Sequence, residues 1–386
     1  MEIHGHFDEK FAAVRDEFER NFSEKDDIGA SFAVTIEGEP VIDIWAGHRD
    51  AAKTLDWEED TIVNVWSSTK PMYFMSALML ADRGDLDLYG KVTDYWPEYG
   101  QNGKETTEVR HFLSHSAGLP GFGEKLTMEQ LCNWDHVISV LERQEPWWEP
   151  GKVAHYHALT QGFLVGEIVR RVTGKSLGTF FKEEIAGPLG ADFHIGVDPS
   201  IFPRVAEIIA PPPLPEGSAP TPPEPPAELK GRVDGTPPCF PPHTNQANWR
   251  QAEIPAGNGH GNARSIARIA SAVANHGTVD GVTLMSAEGV ERIFDQQITM
   301  NEAPIGMGYG LQALMAGAPR DSKVCGWGGA GGSTHIIDMD RKASMSYVMN
   351  QMNHDLVGGP RGWMLQRRFY ESMGLVKPRE SNGASI

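Results

Sequence analysis

Apolar residues recur along the chain with periods that change from segment to segment. Phe7, Phe11, Val14, Phe18 and Phe22 fall at three- and four-residue steps among charged residues, which predicts an amphipathic first helix. After Gly29 come two β-rich runs, Ser31 to Ile36 and Val41 to Trp45, around the turn Glu37-Gly38-Glu39, which predicts a hairpin. The pattern returns near the other end, with Ser333 to Asp338, a turn at Asp340-Arg341, and Ala343 to Met349. A last helix is expected over roughly 361–373. Between these ends the character is helical. Met72 to Ala81 is rich in Met, Ala and Leu and closes at Asp82-Arg83-Gly84, and Gln161 to Val172 runs up to Gly174, a C-cap candidate. Strands at both termini with helices between them predict an α/β (α+β) fold. One antiparallel sheet is built from both chain ends and flanked by helices, and a mostly helical domain is inserted. The expected division is 1–66 with 275–386 for the sheet domain and 67–274 for the helical one.

The segment 211–242 interrupts these periods, because it holds 13 of the 27 prolines. Proline lacks a backbone donor and fixes φ, so neither helix nor central strand fits. An irregular loop packed over the fold is expected, anchored by Leu214, Val233, Cys239 and Phe240; a linker or polyproline ligand is the alternative.

Composition narrows the function classes. The 386 residues, 40% of them hydrophobic, suffice for a large core. With 34 basic and 52 acidic residues the net charge is −18, which repels phosphate backbones and anionic lipid, so neither nucleic acid nor membrane is an expected partner. No run approaches the ~18 apolar residues of a membrane span. Cys132, Cys239 and Cys325 are widely spaced with no CxxC pair, and the first residues show no basic-then-apolar leader, so a cytoplasmic protein is expected. The histidines form no HExxH motif; no metal and no cofactor are called for.

Three features carry candidate chemistry. Ser67-Ser68-Thr69-Lys70 is an S-x-x-K tetrad between the β-like run Ile62 to Trp66 and the helix from Met72. Ser67 and Lys70, three residues apart, share a helix face. At a helix N-terminus the hydroxyl is placed for a developing alkoxide and a nearby ammonium loses basicity. On these residues alone, a serine N-cap beside a solvated lysine fits equally. Tyr156-His157-Ala158 follows Pro150-Gly151; its phenol is either packing or, with a cation beside it, a base. The run Gly326 to Ser333, containing Trp327-Gly328-Gly329, lies at the start of the last strands, where glycines permit close backbone approach to a ligand or make a tight turn at a sheet edge.

Taken in order, these motifs resemble the serine β-lactamase and penicillin-binding-protein superfamily. The similarity extends to the segment from Arg110 to Pro120, to Pro150-Gly151 and to Met307 to Leu311, so it covers most of the chain. Trp327-Gly328-Gly329 in the third position is similar to the class C β-lactamase-like family VIII carboxylesterases. That resemblance implies Ser67 as acylated nucleophile, with Lys70 and Tyr156 as the groups that move its proton. It implies the backbone N–H groups of Ser67 and Ala330 as the oxyanion hole, and Trp327, Gly328 and Gly329 as substrate-binding residues. His157, next to Tyr156, is a further pocket candidate, and Trp147, Trp148 and Phe240 are candidate walls. His115 and Ser116 are expected to bond helix ends, and Asn258 to Asn262 to border the cleft.

Two positions depart from the lactamase pattern. Ala158 replaces an asparagine, and Trp327 replaces a lysine that would pair with a β-lactam carboxylate. Losing such a charge-assisted bond costs about 1.5–3 kcal/mol. The expected function is therefore hydrolysis of short-chain carboxylic esters, a small-molecule substrate class, through an acyl-serine, with β-lactam turnover weak or absent and an alkaline optimum. The rivals are a β-lactamase, D-amino peptidase, amide hydrolase or transacylase on the same residues, an inactive binding protein, or an interaction protein acting through the Pro-rich segment.

Overall fold

Nine antiparallel strands form one sheet in the computed structural model, which describes residues 1–214, 226–311 and 317–378. In chain order they are β1 (Ile3–Phe7), β2 (Gly29–Ile36), β3 (Glu39–Gly47), β4 (Ile298–Met300) and β5 (Ala303–Ile305). The remaining four are β6 (Gly310–Leu311), β7 (Val324–Gly328), β8 (Thr334–Asp338) and β9 (Ala343–Met349). Across the sheet the order is β1-β3-β2-β9-β8-β7-β6-β5-β4. The two chain ends meet at β2 and β9, where Ala30 pairs with Met349 and Ile36 with Ala343. The antiparallel sheet made from both ends is thus as expected.

β2 is buried nearly throughout, so both its faces are covered. Helices α1 (Ala12–Glu24) and α5 (Pro360–Ser372) pack on each other, with α1 also against β1 and α5 against β9. Helix α4 (Ala263–Ala274) lies on β2, β8 and β9. Its alanines bring the backbones close enough for Ser344 Oγ to donate to the Ala267 carbonyl at 2.7 Å. A boundary after 274 therefore assigns to the helical part a helix that packs on the sheet. Helix α2 (Lys70–Arg83) is buried from Lys70 to Ala81 and packs on α3 (Thr160–Thr173), as its all-round apolar sequence requires. Gly84 (φ +82°) and Gly174 (φ +72°) close these helices in the left-handed region that favours glycine.

Two expectations need correction. Phe7 belongs to the edge strand β1, and the helix begins only at Ala12, after a 3₁₀ turn over Glu9–Phe11. Pairing with β3 supplies the hydrogen bonds that make this segment a strand. In the Pro-rich segment, residues 215–225 lie outside the described residues. Of the four proposed anchors only Cys239 is buried; Leu214, Val233 and Phe240 are 42%, 64% and 51% exposed. Backbone bonds hold the described parts instead: Gly235 N–H donates to Phe122 O (2.7 Å), and Leu126 N–H to Gly235 O (2.9 Å).

The sheet and its C-terminal helix are tied by a buried charge network. Arg361 on α5 donates to the carboxylate of Asp27, which also accepts the Tyr347 hydroxyl. The same guanidinium donates to Gln351 O (2.7 Å) and Gly331 O (3.0 Å). Burial raises the Asp27 carboxyl to about 6 although Arg361 opposes the shift. Arg361→Met should lower stability by about 3–5 kcal/mol, because a buried carboxylate loses its counter-charge. A carboxyl raised in the folded state favours folding at low pH and loses that advantage as pH rises through about 6. The urea midpoint of the variant should thus fall further at pH 8 than at pH 5.

Candidate active site

Ser67 sits on a sharp turn between a short strand and the central helix. Val63–Asn64 pairs with Gly259–Gly261, and the 3₁₀ turn Trp66–Thr69 then leads into α2. Trp66 has φ +52°, a strained value for a bulky residue, of the kind found where structure is fixed for function. Thr69 Oγ1 holds the turn by donating to Trp66 O at 2.5 Å and accepting from Gly259 N at 3.0 Å. Ser67 is partly exposed, while residues 61–66 and 68–70 are buried. Ser68 is turned away, its hydroxyl 3.0 Å from that of Ser333.

Lys70 is fully buried, so the reading of it as a solvated charge fails. Its Nζ donates to Ala158 O at 2.7 Å and Ala256 O at 3.2 Å, and lies 3.5 Å from Ser67 Oγ. Burial pushes this amine well below the usual lysine range. A neutral amine has two N–H donors and one lone pair. With the two carbonyls taking the donors, the lone pair is left for the Ser67 proton.

The Tyr156 hydroxyl donates to Ser67 Oγ at 2.6 Å, and Lys70 Nζ lies 4.9 Å from the center of its ring. Burial pushes the phenol up to about 12, opposed by its contacts with Ser67 and Trp327. Burial thus disfavours the charged form of each group, the ammonium of Lys70 and the phenolate of Tyr156.

The third motif packs against the serine turn. β7 is an interior strand over Cys325-Gly326, which pair with β6 and β8, but Trp327 and Gly328 pair only with His335 and Thr334. The Gly-rich run thus becomes edge-like only at its end, where Gly329 meets the serine turn. A Cβ on Gly329 would lie 2.3 Å from Val65 O and 2.4 Å from Ser333 Oγ; one on Gly328 would lie 2.3 Å from Gly358 N. Ser333 Oγ also donates to Val65 O at 2.8 Å. This approach brings Ala330 to the same cavity wall as Ser67. Gly329→Ala should therefore displace Ala330 from that wall and lower kcat about a hundredfold or more, with the fold retained by circular dichroism.

The cavity in front of Ser67 measures about 500 Å³. Its wall includes Trp66, Leu159, Phe240, Met300, Trp327 and Leu356, and among the described residues none that lines it carries a charge. Ala256 and Gly257 line it, whereas the segment from Asn258 to Asn262 does not. Neither Trp147 nor Trp148 reaches the wall. His157 is also absent from it: the ring is fully buried, with Nε2 accepting from Leu119 N (3.1 Å) and Nδ1 bonded to His155 O (2.7 Å).

The chain is similar to known proteins over nearly its whole length. The β-lactamase family model matches residues 18–365. The chain belongs to the β-lactamase family. The esterase/β-lactamase LipL of Mycobacterium tuberculosis is 34% identical over 371 residues, which span 92% of this chain and 84% of that protein. A crystal structure of a family VIII carboxylesterase is 35% identical with a TM-score of 0.85, over 96% of this chain and all of that one. A penicillin-binding-protein homologue from Caulobacter crescentus gives 33% and 0.87 over the same shares. The resemblance to the family VIII carboxylesterases drawn from the motifs is thereby borne out.

Sequence reasoning missed what holds the trio together. The carbonyls of Ala158 and Ala256 that seat Lys70 are backbone groups and leave no mark in residue identity. His115 bonds the chain around Tyr156 instead of a helix end, whereas Ser116 does bond one: its N–H donates to His111 O (3.0 Å) at the end of the helix Val109–Leu113, and its Oγ pairs with that of the C-cap Ser114 at 2.9 Å.

Proposed function

We propose that this enzyme is a serine carboxylesterase acting on uncharged esters with short, apolar acyl groups. The observation that carries the reading is Ser67 Oγ, held 2.6 Å from the Tyr156 hydroxyl and 3.5 Å from Lys70 Nζ at the wall of an uncharged cavity. Neutral Lys70 takes the Ser67 proton as Oγ attacks the ester carbonyl. The oxyanion is stabilised by the N–H groups of Ser67 and Ala330, each such donor being worth about 3 kcal/mol. Collapse expels the alcohol, which takes a proton from Lys70 relayed through Tyr156, and leaves acyl-Ser67. Water then gives its proton to Lys70 while attacking the acyl carbon, and the acid leaves as the Ser67 proton is restored. Trp327 forms part of the pocket wall, and Gly328 and Gly329, which do not line it, let the chain approach the serine turn.

Uncharged walls support esters over β-lactams, whose carboxylate finds no cation there. On matched protein, kcat/KM for p-nitrophenyl butyrate should exceed that for a chromogenic cephalosporin by at least about tenfold, the worth of one charge-assisted bond. Preferred turnover of the cephalosporin would instead favour the β-lactamase reading. Within the esters, each added methylene should raise kcat/KM by up to about fourfold from acetate to butyrate, since burying a CH₂ is worth about 0.8 kcal/mol. A flat series would mean that the acyl group does not enter the cavity.

No helix among the described residues is long and apolar enough to cross a membrane. Cys132, Cys239 and Cys325 are free thiols, which supports a reducing, cytoplasmic compartment.

A further inference from the structure

We propose that His115 is the positioning residue of Tyr156; the inference rests on the reading of Tyr156 as part of the esterase machinery. His115 grips the chain on both sides of the tyrosine. Its backbone carbonyl accepts the His155 N–H at 3.2 Å, and its ring Nδ1 accepts the His157 N–H at 3.0 Å. The ring itself packs on the Tyr156 ring at 4.9 Å and stacks on Trp327 at 5.5 Å. One residue thus fixes the backbone before and after Tyr156 and fills the space beside its ring.

The surroundings make this grip specific. His115 adopts φ +59°, outside the usual range for its type, and is fully buried. Neighbouring bonds align the two segments, with Gly151 N–H donating to Ser116 O (2.8 Å) and Trp147 N–H to Gly118 O (2.7 Å). Because Nδ1 accepts, the ring proton belongs on Nε2, and among the described residues that buried nitrogen has no hydrogen-bond partner. A histidine serving only as filler would be replaced without loss by an apolar ring. Here the acceptor at Nδ1 is what the geometry uses, and an unpaired nitrogen is retained with it. A misplaced phenol would no longer sit within hydrogen-bond reach of Ser67 Oγ, and such small displacements cost rate steeply.

The test is a double-mutant cycle with p-nitrophenyl butyrate. Asparagine suits His115 because it tolerates positive φ and offers an oxygen near the Nδ1 position; leucine offers no acceptor. His115→Leu should lower kcat roughly ten- to a hundredfold with KM little changed, and His115→Asn should recover part of that loss. In a Tyr156→Phe background His115→Leu should cost less than about twofold, since no hydroxyl remains to be placed. Equal losses in both backgrounds would make His115 merely structural and overturn the proposal. If Tyr156→Phe is harmless while Ser67→Ala is inactive, the tyrosine assignment and the positioning role fall together and the serine reading stands. Should the variants not fold, ¹⁵N-histidine NMR of the native protein decides: a His115 ring protonated on Nε2 is expected, and a proton on Nδ1 would overturn the proposal.

Discussion

Replacing Ser67 with alanine is expected to reduce kcat on p-nitrophenyl butyrate by about ten thousand- to a millionfold, the loss seen when a serine hydrolase loses its nucleophile. Three features direct the whole effect to this hydroxyl. It is the partly exposed one in a buried stretch, it accepts the Tyr156 proton at 2.6 Å, and it faces a lysine whose other partners are carbonyls. Ser68, adjacent and chemically identical, is tied to Ser333 and cannot substitute. The variant should fold normally, because only one hydroxyl at the cavity wall is removed, and it should no longer be labelled by a fluorophosphonate that modifies the native enzyme. An unchanged rate in Ser67→Ala would remove the acyl-serine mechanism altogether.

The site was legible in sequence wherever side chains of rare combination announce it, and illegible wherever the backbone acts. The tetrad, Tyr156 and Trp327-Gly328-Gly329 could be read because their order along the chain resembles a known family, each of them alone fitting a cap, a packed ring or a tight turn as well. The structure brings Ser67, Tyr156 and Trp327 to one cavity, whereas Gly328 and Gly329, expected to bind substrate, do not line it: their backbone is packed against Gly358, Val65 and Ser333. His157 was misjudged because adjacency along the chain says nothing about facing: Tyr156 turns to Ser67, while His157 turns to the Leu119 backbone. The buried pair of Asp27 and Arg361 was invisible because each looks like an ordinary surface charge until the sheet joins the chain ends. The same applies to strand β1, whose Ile3 and Phe7 alternate with Gly5, so the helix-like spacing of the phenylalanines prevailed. The Pro-rich segment could be excluded from helix and strand, but apolar residues proved poor guides to its anchors. Its described parts are held through main-chain bonds that proline composition does not reveal.

The second large effect separates the roles of the two groups around Ser67. Lys70→Met should lower kcat by about 10³- to 10⁴-fold, and Tyr156→Phe by about 10²-fold, since general acid–base groups contribute within that range and the group that takes the serine proton contributes more. Methionine fills the lysine's place in the buried site but leaves the Ala158 and Ala256 carbonyls without their donor. A stability loss of about 1–3 kcal/mol should accompany the rate loss and can be measured separately by denaturant melts. The pH profile of kcat/KM supplies the sign. A base acts when deprotonated, so activity rises through the pKa of the group that serves. Burial places Lys70 well below the ordinary ~10.4 of lysine and Tyr156 up at about 12. With lysine as base, the acid limb of the native enzyme lies well below the ordinary lysine value. With a phenolate as base, activity would still be climbing near pH 10, and Tyr156→Phe would be the more damaging change. Burial of Lys70 favours the first outcome, because it disfavours the charged amine: a protonated amine would direct its third N–H at Ser67 Oγ and hold the hydroxyl as an acceptor, whereas the neutral amine turns that contact round and makes the serine the donor.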